Sequence, residues 1–99
     1  MEPRFHQGDA KVHAGADLYR CRANLRCWTD QISNGTSLYP GLEQWAGHLH
    51  FDSDADAETV LYAGAPHLAI NDTEAAFLVE ELDRPTATLT IRGNGPAPF

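Results

Sequence analysis

A histidine pair one residue apart, His48-Leu49-His50, has the best metal-ligand spacing in the chain. On a β-strand, positions i and i+2 project from one face, so two imidazoles can meet a single ion. Asp52 shares that face, and Asp54 and His67 are further donors; His48, His50, Asp52 and His67 form the candidate metal set. The neighbouring residues set the orientation. Trp45, Leu49 and Phe51 claim the opposite face, and turning the histidines inward would leave Trp45 and Phe51 in water at roughly 1.5–3 kcal/mol each. The expected arrangement puts His48 and His50 outside.

The second chemical feature is a stripe of arginines in LYRCRANLRCW, residues 18–28. Arg20, Arg22 and Arg26 fall on even positions, opposite Tyr19, Cys21, Ala23, Leu25 and Cys27 on odd ones. This period of two predicts a strand with the cysteines inside and the arginines outside. If this strand pairs antiparallel with the histidine strand so that residue numbers sum to about 72, Arg20 faces Asp52, Arg22 faces His50 and Asn24 faces His48. Arg20, Arg22, Arg26, His48 and His50 then make one basic outer patch. Guanidinium forks match carboxylate or phosphate in a bidentate manner. The plainer expectation for the same arginines is solvated pairing with nearby acids such as Asp52, which contributes little.

Other chemistry is sparse. Cys21 and Cys27 in one strand lie ~20 Å apart, beyond the ~7 Å a disulfide allows, and lack zinc-knuckle spacing; both read as small buried hydrophobes. There is no G-x-S-x-G and no phosphate-binding loop, and Gly93-Asn-Gly95 follows the last strand with no helix after it. Acid pairs such as Asp52 and Asp54, or Glu80 and Glu81, read as solvated charges and not as a general acid–base pair. No catalytic residue or cofactor is assigned, and a non-enzyme is favoured.

These residues need strands to position them. Residues 1–16 lack periodicity and read as a flexible arm or at best a short edge strand; residues 17–99 form a single β-domain. The strand at 17–28 is followed by a long loop, TDQISNGTSLYPG at 29–41, and then by the histidine strand EQWAGHLHFDS. DADAE reads as a charged turn, TVLYA as a third strand and HLAI as a fourth. NDTEAAFLVEELDRP is open to two readings: Ala75, Leu78, Val79 and Leu82 have helical spacing, which allows an α+β fold with a helix at 74–83. Glu80 and Glu81 at the negative end of the helix dipole, and NDT as a hairpin turn, favour a strand. TATLTIRG closes the series with Ala87, Leu89 and Ile91 inward. The expected fold is all-β, about six antiparallel strands in a small barrel or tight sandwich. The ending GNGPAPF either folds Phe99 back over an open barrel end or offers a short segment to a partner.

The composition supports one folded domain: 99 residues, 42% hydrophobic, 21% charged. A net charge of −7 argues against general nucleic-acid or anionic-membrane binding. No apolar run approaches the roughly 18 residues of a membrane span, and the first residues lack a signal core, so a cytoplasmic location is expected.

Two resemblances add to this. Arg22-Ala-Asn-Leu-Arg26 is similar to the RxxxR half of the signature by which six-stranded PilZ barrels bind cyclic di-GMP, although the other half is missing because Ser33 and Gly35 have the wrong spacing. W-A-G-H-L at 45–49, A-I-N-D-T-E-A at 69–75 and T-I-R-G-N-G-P-A-P-F at 90–99 resemble a small uncharacterised actinobacterial β-domain found alone or appended to flavin-dependent monooxygenases. That resemblance implies a small β-domain and an enzyme partner, but no mechanism. The expected function is a non-catalytic binding or accessory module that contacts a protein partner or small anionic ligand through the outer face of its first two strands, with homodimerisation possible. The alternatives are a metal binder or metal-dependent enzyme built on the HxH pair, and a PilZ-like nucleotide-binding barrel.

Overall fold

Alternating inward side chains and a crossing helix account for the architecture of the computed structural model, which describes residues 4–34, 37–94 and 96–99, with the side chains of 29–34, 37–42 and 94 outside that description. The elements are β1 (Arg4–Ala14), β2 (Asp17–Asn34), β3 (Ser37–Phe51), α1 (Asp54–Leu61), β4 (His67–Ile70), β5 (Thr73–Asp83), a 3₁₀ turn at Arg84–Thr86, and β6 (Thr88–Asn94). All strand pairs are antiparallel, and the strands close into a barrel in the order β1-β2-β3-β6-β5-β4. The core is lined by Val12, Leu25, Trp45, Leu49, Phe51, Leu68, Phe77, Leu89 and Ile91, all buried. No helix among the described residues is long and apolar enough to cross a membrane.

The all-β barrel matches the expectation, and the contested segment at 73–83 is a strand, paired to both β4 and β6. Pairing on both edges, with Ala75 and Phe77 buried, outweighs its helical spacing. Asn71, at φ 56, makes the tight turn that leads into it. Three expectations need correction. Residues 4–14 are no arm: β1 pairs with β2 along its whole length and closes the barrel against β4 through Lys11↔Ala69, Val12↔Leu68 and His13↔His67. Its inward residues Ala10, Val12 and Ala14 are mostly small, so the alternation is weak in hydropathy. The segment at 29–41 is largely ribbon and not loop, since β2 and β3 continue pairing through Ile32↔Tyr39 to Asn34↔Ser37, with an irregularity between Thr29 and Gln31.

The third correction concerns DADAE and TVLYA, which form α1 in place of a turn and a strand. Ser53 caps the helix, its Oγ accepting from the Asp56 N–H at 3.2 Å, and Asp54 and Asp56 sit in the first turn where the dipole favours acids. Ala57 and Val60 are fully buried, and α1 touches β1, β3, β5 and β6. In the strand order β3 neighbours β6 while β4 neighbours β1 and β5, so the chain has to pass from one side of the barrel to the other between them, and α1 makes that passage.

Candidate functional site

The β2–β3 register has the expected sum for two of the three expected pairs, Arg22 with His50 and Asn24 with His48, while the ladder begins at Cys21↔Phe51 and does not include Arg20 with Asp52. Cys21, Ala23, Leu25 and Cys27 are buried, while Arg20, Arg22, Arg26, His48 and His50 are exposed on the outer face. The sheet then adds what the local pattern does not contain. Arg26 is paired with Ala46, and Ala46 on its other side with Arg92 of β6. Two arginines therefore flank a single methyl group, their backbones about 10 Å apart across two strand spacings.

That small residue leaves a groove of about 640 Å³, lined by Phe5, Arg26, Trp28, Ala46, His48 and Arg92, with Glu80 at its far side. The Arg26 guanidinium lies 5.2 Å from the centre of the half-buried Trp28 ring, a cation–π contact that holds the arginine against an apolar wall. Arg92 Nε approaches Glu80 Oε1 at 3.5 Å and remains 64% exposed. Phe5 is 71% exposed, which gives the groove an aromatic end beside a cationic middle. Gly47 also lines the groove, at a position where a Cβ would overlap the Asn24 carbonyl oxygen.

Arg20 and Arg22 belong to a second depression of about 610 Å³, shared with Asp9, Lys11, Asp52 and Asn71. A third, of about 210 Å³, lies between the two and is lined by Gln7, Gly8, Arg22, Ala23 and Asn24. Among the described residues none of Lys11, Arg20, Arg22 and Arg26 forms an ion pair, so the expected pairing of Arg20 with Asp52 is absent. His50 Nδ1 lies 3.1 Å from Thr88 Oγ1.

The metal set does not converge. His48 and His50 point outward on β3, and His67 is on β4, across the barrel. Among the described residues no group of three or more His, Cys, Asp and Glu side chains is placed to hold an ion. Both cysteines are free and buried. Burial, reinforced by Asp9, pushes the Cys21 thiol up to about 12, so it is protonated and a poor nucleophile at neutral pH. The Cys27 Sγ–H donates to Glu43 Oε1 at 2.9 Å; Arg4 pairs with the same carboxylate, whose Oε2 accepts from the Ala97 N–H at 3.4 Å. This knot ties β1, β2, β3 and the C-terminal residues at the end of the barrel opposite α1. There Phe99 folds back, the first of the two readings of the tail, its ring edge-on to Trp45 at 6.4 Å.

Sequence reasoning missed Arg92, Ala46, Trp28, Phe5 and Lys11 as members of this surface. Arg92 is outward by parity on its own strand, but its place beside Arg26 depends on the β3–β6 pairing, which no local pattern encodes. No protein-family model matches the chain, and comparison with curated proteins and with solved structures likewise gives no match.

Proposed function

We propose that this chain is a non-catalytic binding module that takes an anionic group, carried by a small ligand or by a protein partner, on the outer face of β2 and β3 together with β6. The observation that carries this reading is the Arg26–Ala46–Arg92 row: two exposed guanidiniums across a methyl-sized gap, in a groove within the few-hundred-Å³ range of ligand pockets. A carboxylate or phosphate above Ala46 meets one fork from each side. Trp28 holds one fork in place, which lowers the entropy lost when the anion binds. The setting assumed is the cytoplasm, with an enzyme as partner in line with the resemblance noted above.

Nuclear magnetic resonance titration with citrate tests the reading. Citrate is expected to shift the side-chain Nε–Hε signals of Arg26 and Arg92 at millimolar concentration. The shifts disappear in a folded Arg26→Ser, Arg92→Ser variant. Equal perturbation of wild type and variant, or none in either, refutes the site.

A further inference from the structure

The three depressions form one feature. Asn24 lines both the first and the third, and Arg22 both the third and the second, so they join into a trough along the outer face of β2. From Arg20 to Trp28 it spans ~26 Å at ~3.3 Å per residue. Its charge is opposite to that of the chain. Among the described residues, the basic side chains that line it are Lys11, Arg20, Arg22, Arg26 and Arg92, and the acidic ones are Asp9, Asp52 and Glu80. Lys11 stands directly opposite Arg20 in the β1–β2 ladder, a like-charge arrangement, while Asp9 stands opposite Arg22.

Resting on the reading of this face as a binding surface, we propose that the trough receives an extended acidic segment of a protein partner, laid along β2 with carboxylates at alternate residues. The repeat matches: outward positions on β2 recur every two residues, ~6.6 Å, as do side chains on one face of an extended peptide. Arg20, Arg22 and Arg26 sit at the first, second and fourth of these steps, too far apart for one small anion to span. A path along a strand also keeps to one side of the barrel, whereas a row across strands turns around it. Leu78 shows this: it pairs with Arg92 and is 61% exposed, yet lies outside the trough. The exposed Phe5 and half-buried Trp28 give an apolar residue of the segment a seat at one end. Recognition is by side chains, because β2 is hydrogen-bonded on both edges from Cys21 to Cys27 and cannot accept another strand. A peptide can set a lysine or a backbone N–H on Asp9 and Asp52. A nucleic acid would meet those carboxylates and a net charge of −7 with phosphates alone.

Fluorescence anisotropy with the full chain and a labelled seven-residue peptide alternating glutamate and serine tests the proposal. The peptide is expected to bind at least roughly ten-fold tighter than citrate. Each of Arg20→Ser, Arg22→Ser and Arg26→Ser weakens it by roughly two- to five-fold, the range for exposed charge pairs, and the triple variant abolishes binding. Amide shifts extend from 20 to 28, and the lysine–serine counterpart does not bind. Peptide binding no tighter than citrate, with citrate still shifting Arg26 and Arg92, overturns the partner class and leaves the anion site standing. Failure of both probes removes both readings. Tighter binding of a single-stranded oligonucleotide, or self-association of the chain through this face, also overturns the proposal.

Discussion

The two ends of the barrel are closed by different means. At one end α1 is a locally specified lid: Ser53 caps it, acids occupy its first turn, and Ala57 and Val60 fill the mouth. At the other, closure joins residues far apart in the chain. Trp45 sits over Gly93, where a Cβ would overlap the indole, Phe99 packs against the ring, and Glu43 bonds Cys27, Arg4 and the Ala97 N–H. Each end also holds one cysteine of β2. Cys21, paired with Phe51, faces the helix end and is desolvated; Cys27, paired with Trp45, donates to a carboxylate. Two inward thiols on one strand thus acquire different chemistry from what closes the barrel above and below them. The local lid rests on short-range signals, so its parts should be separable, whereas the long-range knot should fail as a unit.

The largest effect is expected at the knot. Trp45→Ala removes the largest fully buried side chain and is expected to cost about 3–5 kcal/mol by denaturant unfolding. Its loss should also free Phe99, seen as weaker hydrogen-exchange protection at the Ala97 amide. Protection that stays unchanged would show the tail to be held by Glu43 alone. At the helix end Ser53→Ala is expected to cost about 1 kcal/mol with the barrel intact. A loss as large as that for Trp45→Ala would mean the lid is no less cooperative than the knot.

The smallest effect appears only in alkali. The Cys21 pKa is raised from 9.0 to about 12 in the folded chain, so the folded state holds this proton more tightly than the unfolded state. The resulting stabilisation is complete below pH 9 and declines from there toward pH 12. Thermal unfolding of a Cys21→Ala variant should therefore lose less stability than wild type between pH 8 and pH 11. Parallel losses would show that desolvation of this thiol does not separate the two ends.

Much of the surface was legible because parity needs no knowledge of partners. The alternation through Cys27 placed Arg20, Arg22 and Arg26 outside, and the bulk of Trp45 and Phe51 placed His48 and His50 there with them. Other segments misled for physical reasons. The small inward residues Ala10 and Ala14 of β1 gave little hydropathy contrast, and the β-branched start of TVLYA concealed a helix whose capping signal, Ser53 followed by Asp56, was present three residues apart. The turn-rich composition of 29–41 suggested a loop where the backbone continues as a paired ribbon.

By itself the sequence determined which side chains face water on β2, β3 and β6, because a two-residue period assigns faces whatever lies alongside. Only the tertiary structure decided which of those outward residues are neighbours. The barrel order places β6 beside β3, so Arg92 stands across Ala46 from Arg26, and it places β1 beside β2, so Lys11 stands against Arg20. Non-local pairing is set by how the whole barrel closes, and a stripe of three arginines becomes part of a basic trough only when strands distant in the chain supply its other walls.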